Sequence, residues 1–274
     1  ALGNNVLVAW NDGQGFNTGG DVQNYAYSLD GGATFIQPAG GIPHPAGASG
    51  FSWSSDPSVT VNEKTGEFFY CGLFDSAGIA FGGLGIVKAT FPGGGAAPVW
   101  GAPHTARTVN AVNFFIDKQW IAADSSNGNI YVTYTYFTAT GDSIEFRRSS
   151  DGGATWGPIQ ICNSDSAAGW VQGSRPVVGP NGEVYATWYE IGISTAFSHM
   201  RIRKSVDAGA TFGPEAQIAQ EYDNFGTGAP GFNRQRGISF PGIAVDRTFG
   251  PHRGRVYATW NEGVNWYNDA LGGL

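Results

Sequence analysis

The sequence predicts an all-β protein assembled from repeated four-stranded antiparallel units, and three observations carry that expectation. Gly 43 and Pro 14 stand against 14% charged residues and one Met, a chain rich in tight turns and poor in the surface that long helices use. An octet recurs three times with one polar skeleton: Ser28-Leu29-Asp30-Gly31-Gly32-Ala33-Thr34-Phe35, Ser149-Ser150-Asp151-Gly152-Gly153-Ala154-Thr155-Trp156 and Ser205-Val206-Asp207-Ala208-Gly209-Ala210-Thr211-Phe212. Short apolar runs joined by turns such as Thr65-Gly66, Asn127-Gly128 and Asn181-Gly182 mark hairpins between the octets.

The elements follow in order within each unit. A first strand is read at Asp56–Val61, Asp117–Ala123, Ser174–Val178 and Phe240–Val245. A second is read at Val6–Trp10, Glu67–Cys71, Asn129–Thr133, Glu183–Trp188 and Arg255–Trp260. A third, such as Ser143–Arg147 or Ser198–Ile202, leads into the octet. The octet is a hairpin turn: Asp accepts from loop amides, Gly takes the positive-φ position, and the Thr hydroxyl and aromatic ring anchor the returning strand. A worn fourth copy, Thr90-Phe91-Pro92-Gly93-Gly94-Gly95 with Val99-Trp100, puts Pro92 where Asp is expected. With it, the aligned positions Asp30, Pro92, Asp151 and Asp207 lie 62, 59 and 56 residues apart, a period of about 60.

Composition excludes several functions. Hydrophobic residues at 41% of 274 are enough for a buried core, which rules out a disordered or coiled-coil chain. The net charge of -7 would repel a phosphate backbone, so no nucleic-acid partner is expected. No apolar run reaches 18 residues, so no transmembrane segment is expected. Ala1–Asn5 has neither a basic nor a hydrophobic region, so any signal peptide is expected to be absent or removed. Cys71 and Cys162 show no metal spacing; buried free thiols are expected, with one disulfide as the alternative. No Asn-X-Ser/Thr site occurs.

The octet matches the pattern Ser-x-Asp-x-Gly-x-Thr-Trp/Phe, and on those residues the chain resembles the sialidase-like, Asp-box (BNR-repeat) β-propellers. The resemblance implies a β-propeller of four-stranded antiparallel blades with Asp30, Asp151 and Asp207 as structural Asp-box residues. It is read as five blades, or as a fragment of a six-bladed ring needing about 360 residues. It also implies a secreted or cell-surface protein that engages a glycan at its top face. That protein is either an exo-glycosidase or a non-catalytic module binding carbohydrate or protein. Open blade edges would also admit self-assembly.

In such a blade, starts of first strands and ends of second strands meet at the top. The carboxylates placed there are Asp12, Asp56, Asp75, Asp117, Glu190 and Glu262. Clustered carboxylates can raise one another's pKa and provide the acid and base or nucleophile of glycoside hydrolysis, with Asp56, Asp117, Glu190 and Glu262 as catalytic candidates. Arg175, Arg234 and Arg236 are the candidate clamp for an acidic sugar, beside Asp12 and Asp75. Trp188, Tyr189 and Trp260 are candidate flat faces for sugar rings, with Trp53, Trp170, Trp266 and Tyr267 nearby in the same reading. The Arg-Ile-Pro string of the sialidases is missing; Ser174-Arg175-Pro176 is nearest, after two intact octets. The scattered His44, His104, His199 and His252 make no zinc motif. No cofactor is required; a Ca²⁺ at the acidic mouth or the Asp223-Asn224 loop is admitted.

Overall fold

A computed structural model describes residues 1–45, 51–76, 80–164, 169–192, 198–221 and 240–261. The strands are β1 (Val6–Asn11), β2 (Gln23–Ser28), β3 (Phe51–Asn62), β4 (Glu67–Ser76), β5 (Phe81–Thr90), β6 (Val99–Trp100) and β7 (His104–Asn110). They continue with β8 (Phe115–Ala123), β9 (Ile130–Thr138), β10 (Gly141–Ser149), β11 (Gln160–Ile161), β12 (Gly169–Val178), β13 (Val184–Gly192), β14 (Ser198–Ser205), β15 (Ala216–Glu221), β16 (Gly242–Val245) and β17 (Val256–Thr259). Among the described residues these form five antiparallel sheets: β1-β2, β3-β4-β5-β6 with β7 also on β5, β8 to β11, β12 to β15, and β16-β17. We call them blades A to E. Among the described residues, A and E remain separate two-stranded sheets.

The strand parity explains the stacking. Successive residues of a strand point to opposite faces, and the central strands are apolar on both. Phe68, Tyr70 and Phe74 of β4 face blade A, joining Leu7 and Tyr25, whereas Phe69, Cys71 and Leu73 face blade C, joining Ile121 and Val132. Tyr131 and Phe146 of blade C meet Val184 and Trp188 of blade D, and Tyr189 and Met200 of blade D meet Phe240 and Trp260. There is thus one apolar core per blade boundary, an array of sheets stacked face to face as in a propeller. Both cysteines are free and buried within these cores.

In blades C and D the octets close the third hairpin turn, and in blade A the octet follows β2, where Tyr27 bridges to Ile36. In the second octet, Thr155 donates its backbone N–H (2.9 Å) and hydroxyl (2.5 Å) to Asp151, and Ser149 donates its hydroxyl (2.7 Å). These bonds, Thr155 foremost, hold the Asp151 carboxyl at a pKa of about 2. Ser28 and Thr34 lower Asp30 in the same way, and Thr211 and Ser205 lower Asp207. The Ser hydroxyl also accepts the N–H of the residue four positions on, Gly32, Gly153 or Gly209, at 2.8 Å in each copy. The worn copy keeps the turn through Gly93, Gly94 and Gly95, all at positive φ, and returns as β6, where Trp100 donates to the Tyr25 hydroxyl at 3.0 Å. Gly31 and Gly152 sit at φ 77° and 71°, but the third copy places Ala208 there at φ 56°. Ala208→Gly should therefore stabilise the protein by about 1 kcal/mol, read by thermal unfolding, because a left-handed backbone carries a Cβ penalty.

One element departs from an all-strand reading. Asp12 ends no strand; it is the N-cap of the six-residue helix α1 (Gly13–Thr18), accepting from the Gln14 N–H at 2.9 Å. Gly19, at φ 74°, terminates that helix.

Candidate functional site

The inner strands of blades B, C and D each carry the same irregularity near their upper ends. In β3, Ser55 pairs with Leu73 and Ser58 with Cys71; in β8, Asp117 pairs with Thr135 and Trp120 with Thr133; in β12, Gln172 pairs with Tyr189 and Arg175 with Thr187. At this point each inner strand spends one residue more than its partner, a β-bulge that re-aims the side chains beside it, and β3 carries a second such shift between Trp53 and Ser55. The first residue of the bulge is left-handed in all three: Asp56 at φ 54°, Lys118 at 52° and Gly173 at 69°. In blade D the glycine is required, since a Cβ would lie 2.3 Å from the Phe240 ring.

This geometry corrects the alignment read from sequence. Asp56 is equivalent to Lys118, and Asp117 to Ser55 and Gln172, so the two aspartates are neighbours across a blade boundary and not repeats of one position. Counting back ten residues from the hairpin glycines Gly66 and Gly128 lands on Asp56 and Lys118, a signal that was present in the sequence.

The bulges surround an axial pocket of about 330 Å³, lined by Trp10 and Asn11 of blade A, Asp56 and Pro57 of B, Lys118, Gln119 and Trp120 of C, Gly173, Ser174 and Arg175 of D, and Phe240. A polar belt runs across its wall from blade to blade. Asn11 donates its amide to Asp56 Oδ1 at 2.9 Å and accepts the Asp56 N–H at 2.6 Å. Lys118 Nζ donates to Asp56 Oδ2 at 2.5 Å and stands 3.8 Å from Asp117 Oδ1. Gln172 donates to Asp117 Oδ2 at 2.8 Å. The Gln119 amide donates to the Asp56 carbonyl. The Arg175 guanidinium lies 4.0 Å over the Trp120 ring, a cation–π contact at the pocket wall.

The pair of carboxyls is electrically split. Burial raises Asp117 to a pKa of about 6, the neighbouring Asp56 adds to the rise, and Lys118 opposes it. Burial also works to raise Asp56, but the hydrogen bonds from Lys118 and Asn11, with the lysine's charge, outweigh it and keep that carboxyl below the ordinary carboxylate value. A proton taken up between them therefore resides on Asp117 while Asp56 stays ionised.

Of the residues read from sequence, Asp56 and Arg175 line the pocket, and Asp117 stands beside its lining residue Lys118, 3.8 Å from the amine. Others lie elsewhere, for identifiable reasons. Second strands stand one strand spacing farther from the axis, about 4.8 Å, so their ends do not reach it except in blade A, where β1 lines the pocket and is the inner strand among the described residues. Glu190 is held bidentately by Arg201 at 3.0 Å and 3.0 Å. Asp75 lines a separate recess of about 110 Å³. Trp188 and Tyr189 are 0% and 1% exposed inside inter-blade cores, so neither offers a face to a ligand; Trp53, also 0% exposed, is core as well. Trp260 packs partly buried against the core between blades D and E. Arg234, Arg236, Glu262, Trp266, Tyr267 and the Asp223-Asn224 loop lie outside the described residues. Lys118, Gln172 and Trp120, which the sequence reading passed over, are site residues, as is Trp10. Among the described residues no group of three or more His, Cys, Asp or Glu is arranged to hold a metal, and no helix is long and apolar enough to cross a membrane.

No protein-family model and no curated protein matches the chain. Solved structures do. An α-L-arabinanase of Penicillium chrysogenum, complexed with arabinobiose, superposes with a TM-score of 0.63 at 15% identity, over 94% of this chain and 72% of its own. A GH93 α-L-arabinofuranosidase of Fusarium graminearum, also with arabinobiose, gives 0.58 at 12% identity, over 86% and 66%. A Hadza microbial sialidase gives 0.50 at 14% identity, over 72% and 44%, so this chain spans less than half of that protein's length. At these identities the likeness establishes the fold: the chain is an all-β protein of the β-propeller class.

Proposed function

We propose that this propeller is a carbohydrate-active protein whose axial pocket receives a sugar residue, and that it hydrolyses glycosides with Asp117 as general acid. The observation carrying this reading is the Asp56–Lys118 pair lining a pocket walled by Trp10 and Trp120, with Asp117 beside it, 3.8 Å from the Lys118 amine. It is supported by structural likeness to an arabinanase, an arabinofuranosidase and a sialidase. In the reaction the glycosidic C–O bond breaks, the Asp117 proton passes to the departing oxygen, and water supplies hydroxide to the anomeric carbon and returns a proton. Ionised Asp56 stabilises the positive charge that develops on the ring. A second carboxylate is needed to activate water or attack carbon, and Glu262 is the remaining sequence candidate for that role. A glycan partner agrees with a secreted or cell-surface location.

A second reading has its own observation. Asp56 is bound by Asn11 and Lys118, and Glu190 by Arg201, so these mouth carboxylates serve as ties between strands or blades. That favours a non-catalytic glycan-binding propeller. Turnover of fluorogenic sialosides and α-L-arabinofuranosides, measured on the intact protein and its Asp117→Asn and Glu262→Gln variants, separates the two. Hydrolysis lost in both variants supports the enzyme; glycan binding without hydrolysis supports the module.

A further inference from the structure

The recess of about 110 Å³ lies beside the axial pocket, on the other side of the bulge. Ser55 and Ile116 line the recess, while Asp56 and Lys118, one and two residues farther along the same strands, line the axial pocket. Asp117 sits between Ile116 and Lys118, at the divide. The rim of the recess is aromatic and exposed: Phe115 is 56% exposed and Phe114 36%. These rings are fixed by stacking, Phe115 on Phe137 (centroids 5.9 Å, 30°) and Phe114 on Tyr136 (5.6 Å, 24°). The floor is kept low by glycine: a Cβ on Gly83 would meet the Phe74 ring at 2.6 Å, and one on Gly82 would stand 3.0 Å from the Asp75 carboxylate. Asp75 is therefore an acceptor set in an apolar recess, where burial raises its pKa.

Resting on the reading of the axial pocket as a sugar site, we infer that this recess is a second sugar subsite. Its occupant is a neutral pyranose or furanose unit linked to the one in the axial pocket. A sugar ring presents an apolar C–H face to Phe115 and Phe114 and hydroxyl donors to Asp75. An acidic unit is disfavoured there because Asp75 would repel it. The ligand is then an oligosaccharide, with the bond between its two bound units beside Asp117.

Titration calorimetry with two ladders tests this: L-arabinose, arabinobiose and arabinotriose, and sialic acid against sialyllactose. Expected is a rise in affinity of about tenfold from one unit to two in one ladder, equivalent to the burial of one ring face. Phe115→Ala should remove that rise and leave the one-unit affinity unchanged, while Phe115→Tyr should retain it. Affinity independent of length, or a rise that survives Phe115→Ala, overturns the second subsite alone. No affinity for any member of either ladder overturns the axial-pocket reading together with it.

Discussion

Asp117→Asn lowers glycoside turnover by about 10²- to 10⁴-fold, the contribution of a positioned general acid. It also reshapes the pH dependence. The wild-type acid is protonated below its pKa of about 6, so kcat/KM falls as pH rises through that value, and the amide variant lacks this limb. Stability carries an independent signature. A carboxyl whose pKa is raised on folding binds protons more tightly in the folded state, so stability is lost as pH rises from about 4, the unfolded value, and the loss is complete above the folded value. Asp117 accounts for a decline on the order of 2 to 3 kcal/mol across that window. Asp142, 4% exposed and raised to about 6 by burial, declines over the same window. Denaturant melts at pH 4, 5, 6 and 7 should thus show falling stability in the wild type and a shallower fall in Asp117→Asn. A slope unchanged in that variant would place the titration at Asp142 and remove the electrostatic basis for Asp117 as the acid.

Gly209→Ala destabilises the protein by about 2 to 5 kcal/mol, the sum of a left-handed backbone penalty and overpacking of a core. The glycine sits at φ 78°, and a Cβ would stand 2.7 Å from the Phe146 ring and 3.3 Å from Tyr131, both in the preceding blade. Gly152→Ala is the control: its φ is 71° but nothing lies within 4 Å of the added carbon, so only the backbone penalty of about 1 to 2 kcal/mol applies. Comparing the two by thermal unfolding isolates the packing contribution. Equal losses would mean that the turn against blade C accommodates the methyl group.

The parts of this molecule legible in its sequence are those whose forces act over a few residues. The octet bonds join Ser28, Asp30 and Thr34, or their counterparts, across two to four positions, so composition and spacing reveal them. The hairpin glycines Gly66, Gly128 and Gly182 take the positive φ their turns require. The site is less legible because its contacts are long-range: Asn11 meets Asp56 across 45 residues and Lys118 meets Asp56 across 62. Trp188 and Tyr189 misled because adjacency to the mouth in sequence does not reveal which blade boundary a ring enters. Asp12 misled because α1 consists of residues such as Gly13 and Gly15 that advertise a loop.

The extra residue that β3, β8 and β12 share at the bulge has a broader consequence. A strand's side chains follow a two-residue beat, and one inserted residue restarts the count. The lower part of β3, β8 and β12 stays in phase with the inter-blade cores, and above the bulge Trp53, Ile116 and Val171 enter those cores again, so that only the bulge residues are turned to the axis. Blades B, C and D therefore each present a three-residue cassette, Asp56-Pro57-Ser58, Lys118-Gln119-Trp120 and Gly173-Ser174-Arg175, in which Asp56, Lys118, Trp120 and Arg175 are the positions open to change, while Ser58, Gln119 and Ser174 are buried and Gly173 is held by the Phe240 ring. Ligand preference in this architecture becomes a word spelled by three syllables, with an anion in the first, a cation and a ring in the second and a guanidinium in the third. Exchanging cassettes between blades B and C is a route to new specificity on an unchanged frame, whereas blade D must keep its glycine beside Phe240.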